Sequence, residues 1–372
     1  MWRAIGFAMV LAALAASGGQ RPRARDLGIA PGRLDPGPLN AITDVTGVKV
    51  GQVTIVEGET VRTGVTAILP HGGNLFQEKV PGAVFVGNAF GKLAGSTQVT
   101  ELGTIETPIV LTNTLSVGTA VDAVVRWTLA QPGNEQVRSV NAVVGETNDG
   151  TLNDIRGLHV TREHVIAAID AAKPGPVAEG AIGAGTGTIA FGWKGGIGTS
   201  SRRVRAGGRE WTVGVLVQTN YGGRLVIDGV PIWKTLSPAR PGSRQPAPTA
   251  DGSCMIVVAT DAPLDARDLK RLAARGVFAL ARTGSTYSNG SGDFAIAFST
   301  DPSLRVTNAS GPQPRTVLPT DDVSPLFEAV LDATEEAVDN SLLQATDVTA
   351  NGRTIRALPI EAVKALLKQY GR

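Results

Sequence analysis

The chain has very few of the residues that build disulfides and metal sites. Cys254 is the only cysteine among 372 residues, so no disulfide can form within the chain. The three histidines are His71, His159 and His164, and the last two are five residues apart, which does not place them on one helical face. The acidic loop 146–154 lacks the ligand register of a calcium loop. The sequence therefore predicts no metal site.

An excess of charge of either sign is also missing. The chain has 35 basic and 33 acidic residues, a formal net charge of +2. No run of arginine and lysine is interleaved with aromatic residues, which make up only 5% of the chain. These features predict no nucleic-acid partner and no attraction to an anionic membrane. The scarcity of histidine also argues against a Ser-His-Asp triad, although one histidine would suffice for it.

The N-terminus has the pattern of a signal peptide. Residues 1–3 carry a positive charge, and the apolar run Ala4–Ala16 is too short to span a bilayer comfortably. Small residues between Ala13 and Ser17 fit a cleavage site. We therefore predict a signal peptide over residues 1–19 and a periplasmic or secreted mature protein without a membrane segment. An uncleaved membrane anchor and a disordered start are the alternatives.

The most informative feature that is present is an abrupt change at Gly252–Ser253. A stretch rich in Pro, Gly and polar residues, Leu236–Gly252, ends there, and the apolar run Cys254–Ala259 begins one residue later. A serine therefore lies where a loose segment enters a buried strand. Cleavage before Ser253 would leave a serine with its own α-amine, which titrates at about pH 8 in a free chain and can take the hydroxyl proton. The alternative is an ordinary Gly-Ser turn.

Two other candidate sites are weaker. Cys254 could serve as a nucleophile, but it falls inside the apolar run, so its thiol is expected to face the core. The glycines at Gly183, Gly185 and Gly187 suggest a dinucleotide site, yet they lack the G-x-G-x-x-G spacing and a strand-turn-helix frame. We therefore expect no cofactor.

Strands and helices mix without the regular alternation of a doubly wound sheet, which favours α+β layers. Residues 20–37 are rich in Pro and Gly and are expected to form an extended arm. Apolar periodicity predicts helices at Ala120–Ala130, His164–Ala172 and Leu264–Ala281, with Thr161 as the candidate cap of the second. It also predicts a long helix that Ser324 caps, with Pro325 in its first turn. It predicts strands at Val48–Val50, Val53–Val56, Val65–Leu69, Trp211–Gln218, Leu225–Pro231, Met255–Thr260 and Asp293–Ser299.

Nine segments, in order and over nearly the whole mature chain, resemble the DmpA/BapA family of L-aminopeptidase/D-esterases and β-peptidyl aminopeptidases. They are Leu39–Gly51, Arg62–Pro70, Thr112–Gly118, Gly145–Asp154, Gly175–Arg202, Val213–Gly222, Gly252–Pro263, Asn289–Thr300 and Ala333–Leu342. The resemblance implies one αββα four-layer domain over residues 20–372, layered like the N-terminal-nucleophile hydrolases but with different strand connectivity. It also implies autocleavage between Gly252 and Ser253 into an α chain (20–252) and a β chain (253–372). The αβ units are expected to form a homo-oligomer.

Ser291 and Asp293 are two apart on a strand, so both side chains leave it on one face, opposite Phe294. They could relay a proton for Ser253, or they could form a polar strand entrance with a solvated carboxylate. In the family the corresponding residues are Ser-Gly-Glu, and the serine and the glutamate both assist the nucleophile. Aspartate is one methylene shorter than the family's glutamate.

Asn220 follows a strand, and its amide could donate to an oxyanion or simply form a turn. The resemblance assigns Asn220 to the oxyanion hole. It assigns Glu146, otherwise a plain loop carboxylate, to recognition of the substrate's free amine. Some members have a tyrosine near the position of Asn148, which this chain lacks.

These observations lead us to expect an exported, self-cleaving N-terminal-serine aminopeptidase. Its substrate would be a small peptide, amide or ester with a free amine. A non-catalytic secreted binding or scaffold protein with the same fold is one alternative, and an acyltransferase that uses amine acceptors is another. The sequence leaves open whether α-, β- or D-configured residues are preferred.

Overall fold

Two β-sheets lie face to face, with helices on both outer surfaces, in the computed structural model, which describes residues 21–238 and 252–372. The predicted signal peptide and most of the segment that precedes Gly252 therefore lie outside the described residues. The strands are β1 (Lys49–Glu57), β2 (Val61–Leu69), β3 (Val80–Ala89), β4 (Leu93–Ala94), β5 (Thr104–Ile105), β6 (Ile109–Asn113), β7 (Val143–Thr147), β8 (Ile189–Ala190), β9 (Trp193–Lys194), β10 (Ile197–Ala206), β11 (Arg209–Asn220), β12 (Gly252–Thr260), β13 (Ser291–Ser299), β14 (Val348–Ala350) and β15 (Arg353–Ile355).

One large sheet has five strands in the order β1-β2-β6-β7-β4, and the other has six in the order β10-β11-β12-β13-β3-β5. β8 pairs with β9 and β14 with β15 in two small hairpins. The helices are α1 (Ser96–Leu102), α2 (Val117–Leu129), α3 (Arg162–Asp170), α4 (Ala266–Thr283), α5 (Ser324–Leu343) and α6 (Ile360–Gln369). None of these helices has the length and apolar content needed to cross a membrane, within the residues described.

Three apolar cores follow from the alternation of side chains along the strands. Between the sheets, residues such as Leu111 pack against Met255 and Phe294. Helices α2 and α3 cover the outer face of the five-stranded sheet. Helices α4 and α5 cover the outer face of the six-stranded sheet, where Ile256 and Ala295 point. This is the expected αββα sandwich, and the fold prediction is confirmed.

The six-stranded sheet combines strands from both sides of the Gly252–Ser253 junction. Strands β12 and β13 follow the junction and lie at the centre, flanked by β11 on one side and β3 on the other. β12 pairs antiparallel with β11 and parallel with β13. A cut at the junction would therefore leave two chains that share one sheet and one core.

Most of the predicted elements are present with small shifts at their ends. Thr161 caps α3 through a hydrogen bond from the amide of His164, as expected. The strand predicted at Leu225–Pro231 is wrong, because the left-handed backbone at Asp228 and Gly229 allows only an isolated bridge from Ile227 to Val230. Ser324 is the first residue of α5 and does not cap it with its side chain, because a 3-10 turn precedes it.

The segment before β1 is docked on the sandwich. Ala24 and Ile29 are buried in the core beneath α5. The guanidinium of Arg21 donates to the carbonyl oxygens of Leu343 and Leu358, at 2.7 Å and 2.6 Å. The Pro and Gly content of this segment predicted an extended arm. The burial of two apolar side chains instead fixes the segment on the sandwich.

Candidate active site

Ser253 is the second residue of β12 and faces the space between the two sheets. Its Cα partners are Asn220 on β11 and Gly292 on β13. Ser253 is two residues before Met255 on β12, so it shares the sheet face from which Met255 packs into the core between the sheets. Ser253 is 6% exposed, at the wall of a pocket of about 560 Å³. The pocket is lined by Ala89, Phe90, Gly91, Lys92, Thr114, Glu146, Asn148, Gly252, Ser253 and Gly290.

Two glycines make room around Ser253. Gly252 has a φ of +149°, and a Cβ atom on it would lie 2.1 Å from the carbonyl oxygen of Asn220. A Cβ atom on Gly292 would lie 2.8 Å from the carbonyl oxygen of Phe90 and 3.1 Å from Ser253 Oγ. Neither position accepts a side chain without a shift of the backbone. The glycine before the serine and the glycine between Ser291 and Asp293 are therefore steric requirements of this site.

Asn220 ends β11 directly beside Ser253, and its side chain is held at both polar atoms. Its Oδ1 accepts a hydrogen bond from the amide of Ile189 at 2.9 Å. Its Nδ2 donates to the carbonyl oxygen of Asn148 at 3.0 Å. An amide nitrogen carries two hydrogens, so the second remains for an oxygen placed near Ser253. Asn220 is the Cα partner of Ser253 and shares its sheet face, so the remaining hydrogen is available to an oxyanion formed beside Ser253.

Glu146 lies on β7 of the other sheet and places its carboxylate at the same pocket. It is 2% exposed. Its Oε1 accepts from the backbone amide of Lys92 at 2.9 Å, and its Oε2 accepts from the hydroxyl of Thr114. The half-exposed Lys92 ammonium lies 3.9 Å from Oε1. The pocket therefore has a fixed carboxylate in one wall and a serine hydroxyl in another.

Ser291 and Asp293 form a buried pair on β13. The hydroxyl of Ser291 donates to Oδ2 of Asp293 at 2.7 Å. Burial raises the pKa of Asp293 to about 6, against the lowering effects of the Ser291 hydroxyl and the backbone amide of Cys254. A carboxyl with that pKa exchanges a proton near neutral pH.

This pair does not share a sheet face with the hydroxyl of Ser253. In the parallel register Ser253 lies opposite Gly292 and Cys254 lies opposite Asp293, so Asp293 points toward α4 while Ser253 points toward the inter-sheet pocket. The start of the β12 backbone separates them. A backbone nitrogen lies in the plane of the sheet, so an α-amine at Ser253 could be reached from both faces.

The thiol of Cys254 is fully buried on the Asp293 face of the sheet, in the core beneath α4 and α5, as the sequence predicted. Burial raises its pKa well above the ordinary value. A thiol that stays protonated and lacks access to the pocket is not a nucleophile there.

Sequence reasoning missed Thr114 and Lys92, which hold the carboxylate of Glu146. Thr114 lies in one of the family-like segments, but its contact with Glu146 depends on the pairing of β6 with β7. Asn148, where some relatives have a tyrosine, lines the pocket and holds Asn220 through its carbonyl oxygen. Across residues 21–238 and 252–372, no group of three His, Cys, Asp or Glu side chains could hold a metal ion.

Residues 40–355 match the family model described as Peptidase family S58. The chain belongs to this family. It is 44% identical to the β-peptidyl aminopeptidase BapA of Sphingosinicella microcystinivorans over 98% of this chain and 96% of that protein. The resemblance noted in the sequence is thus confirmed, and the protein is an aminopeptidase.

Solved structures agree with the family. A protein from Pyrococcus horikoshii superposes with a TM-score of 0.88 at 46% identity, covering 94% of this chain and 100% of that chain. The L-aminopeptidase D-Ala-esterase/amidase of Ochrobactrum anthropi superposes with a TM-score of 0.86 at 39% identity, covering 95% of this chain and 99% of that one. The latter is described as a prototype serine aminopeptidase and a variant of the Ntn hydrolase fold. This S58 chain therefore has the Ntn-type layering that suits an N-terminal nucleophile.

Proposed function

We propose that this S58 peptidase is an exported enzyme that cleaves itself before Ser253 and then releases N-terminal residues from short peptides, amides or esters. The observation that carries the proposal is that Ser253 and the buried carboxylate of Glu146 line one pocket. A nucleophile and an ammonium acceptor in the walls of one pocket select substrates by their free amine. Family membership favours this enzyme over a non-catalytic scaffold.

The first step is an acyl shift within the chain. Oγ of Ser253 adds to the carbonyl carbon of Gly252, and the bond from that carbon to the nitrogen of Ser253 breaks. The nitrogen receives the hydroxyl proton and becomes the α-amine, while Gly252 remains as an ester on Oγ. Water then hydrolyses the ester and releases the α chain at Gly252. The close approach of Gly252 to the backbone carbonyl oxygen of Asn220 supports this step, because it holds the scissile segment against the end of β11.

Turnover uses the same atoms on an external substrate. The α-amine takes the proton of Oγ as Oγ adds to the substrate carbonyl, and the second amide hydrogen of Asn220 donates to the developing oxyanion. The tetrahedral intermediate expels the leaving amine, which receives the proton. Water, deprotonated by the α-amine, then hydrolyses the acyl ester and frees the N-terminal residue.

Ser291 and Asp293 act on the α-amine rather than on the hydroxyl in this scheme. They lie on the sheet face opposite the hydroxyl, beside the position that Gly252 occupies before cleavage. Release of the α chain at Gly252 opens that position. The carboxylate can then hold the amine in place and accept its excess proton through Ser291.

Glu146 selects the substrate amine. Its carboxylate already accepts from the Lys92 amide and the Thr114 hydroxyl, which fixes its position, and the Lys92 ammonium beside it is half exposed and can move aside. A substrate ammonium at this carboxylate places the first residue between Glu146 and Ser253, so the enzyme removes one residue at a time. N-terminal β-amino acids are the first substrates to test, because the curated relative at 44% identity is a β-peptidyl aminopeptidase.

The test combines intact mass with a matched substrate pair. Purified wild-type protein should separate into two chains in denaturant, the smaller starting at Ser253, and Ser253→Ala should stay one inactive chain. The processed enzyme should cleave a β-amino-acid amide and leave its N-acetylated twin intact. A wild-type chain that stays uncut after long incubation would refute self-processing, and equal cleavage of both substrates would refute amine recognition.

A further inference from the structure

Asn220 is held between two loops rather than by its own strand alone. The segment 185–195 supplies the amide of Ile189 to its Oδ1, and the loop after β7 supplies the carbonyl oxygen of Asn148 to its Nδ2. The direction of the free amide hydrogen of Asn220 therefore depends on where these two loops lie.

Lys194 ties the first loop together from inside the protein. It is 0% exposed. Its Nζ donates to the carbonyl oxygens of Gly185, Thr188 and Gly195, at 2.9, 2.9 and 2.7 Å. Lys194 is also the Cα partner of Ile189 in the β8–β9 hairpin. All three hydrogens of one ammonium are thus used on the segment that holds Asn220.

In the second loop, the buried carboxyl of Asp149 makes a hydrogen bond within the loop. Asp149 directly follows Asn148 and accepts from Nδ2 of Asn153 at 3.0 Å. The same aspartate and Lys194 attract each other: burial lowers the pKa of Lys194 to about 7, and the charge of Asp149 acts in the opposite direction. The protein thus keeps a polar lysine nitrogen at three carbonyl oxygens in its interior, at a cost in solvation that an apolar side chain would avoid.

We propose that Lys194 is a positioning residue of the aminopeptidase, which fixes segment 185–195 so that the Ile189 amide aims Asn220 at the substrate carbonyl. This inference rests on the proposed function, since it requires Asn220 to donate to the oxyanion. The carbonyl partners of Lys194 are not among the residues that line the pocket, so in this proposal it acts on turnover through the loop and Asn220. A residue with that role affects the transition state more than the binding of the substrate amine at Glu146.

The test is a double-mutant cycle on the processed enzyme, with kcat normalised to the fraction of chains cut at Ser253 by mass. Asn220→Ala should lower kcat by about 10²- to 10³-fold, the usual effect of losing one oxyanion donor. Lys194→Met should lower kcat by about 10- to 100-fold with KM changed less than about threefold, as expected when only the transition state is affected. In the Asn220→Ala background, Lys194→Met should have almost no further effect on kcat.

Lys79→Met is the matched control, because Lys79 also donates to a carbonyl oxygen from a largely buried position but lies away from the pocket. It should leave kcat unchanged. Additive losses in the cycle would overturn the positioning role and leave the oxyanion assignment intact, whereas an unchanged kcat in Asn220→Ala would overturn that assignment itself. If Lys194→Met fails to fold, the same cycle is measured with Lys194→Gln, which keeps two donor hydrogens, and the same comparison of kcat losses tests the positioning role.

Discussion

Ser253 and Asp293 lie on neighbouring parallel strands, yet their side chains leave the sheet on opposite faces. Ser253 shares its face with its Cα partner Gly292, and Asp293 shares its face with Cys254. A proton that moves between the hydroxyl and the carboxyl must pass the start of β12. An α-amine at Ser253 would occupy that point, so the arrangement favours an amine as the link between the two groups.

We predict that Asp293→Asn lowers kcat and raises the free energy of unfolding. The pKa of Asp293 rises from its ordinary 3.8 to about 6 in the folded protein. Between these values the folded state binds more protons than the unfolded state, so this carboxyl lowers the free energy of unfolding as the pH rises through the window. Removing the buried charge should therefore stabilise the protein above about pH 6, by up to about 3 kcal/mol at 1.36 kcal/mol per pKa unit, and should have little effect below about pH 4.

Urea denaturation of the uncut chain, with Ser253→Ala in both proteins, at pH 4 and pH 7.5 checks the stability change, and kcat of the processed enzyme at pH 7.5 should fall by about 10²- to 10⁴-fold. Asp293→Glu serves as the control, because it keeps the acid and restores the family's residue type, and it should keep or raise activity. An Asn variant that turns over like wild type would show that the Ser291–Asp293 pair is structural.

Glu146→Gln should weaken the binding of substrates with a free amine while self-cleavage persists, because cleavage before Ser253 involves no substrate amine. We expect KM for a β-amino-acid amide to rise by about 10- to 100-fold, in line with the loss of a charge-assisted hydrogen bond. Steady-state kinetics and the mass of the purified variant measure the two effects. Glu106→Gln is the control, since Glu106 is a buried glutamate that accepts from the Asn141 amide elsewhere. An unchanged KM in Glu146→Gln would remove its recognition role.

Gly252→Ala should impair folding at the junction and slow self-cleavage. Its Cβ would lie 2.1 Å from the carbonyl oxygen of Asn220, so the strand entrance would have to shift. Gly208→Ala separates this clash from backbone strain alone: Gly208 also has a positive φ, +77°, but open space around it. The control should lose about 1–2 kcal/mol and process normally. Thermal unfolding and the fraction of cut chain over time measure both, and equal processing in the two variants would contradict the steric argument.

Export is the remaining prediction. Expression of the full chain should give a periplasmic or secreted product that begins near Ala16–Gln20, because the N-terminal pattern is that of a signal peptide. Cell fractionation followed by N-terminal sequencing measures this directly. A cytoplasmic pool that retains the apolar segment would contradict it.

The sequence by itself determined the local features of this protein. The change from a Pro/Gly-rich segment to an apolar run marked the start of β12, and β12 begins at Gly252 because that residue already pairs with Ser291. The Thr161 cap and the apolar stripe of α4 were readable because helix and strand periods act over a few residues. The family-like segments indicated the DmpA/BapA family from the order of residues alone, and the match to Peptidase family S58 confirms it.

Only the tertiary structure decided how these residues meet. A period of two shows that Ser291 and Asp293 share a face, but the face of Ser253 depends on the register of β12 with β13, which local periodicity does not encode. Glu146 reaches the pocket because its sheet packs against the sheet that carries Ser253. Lys194, a single lysine among glycines in the sequence, became a candidate positioning residue only when its three carbonyl partners and Ile189 were seen in space. Contacts between residues distant in the chain follow from packing and strand pairing, and these are set by the whole fold rather than by neighbouring residues.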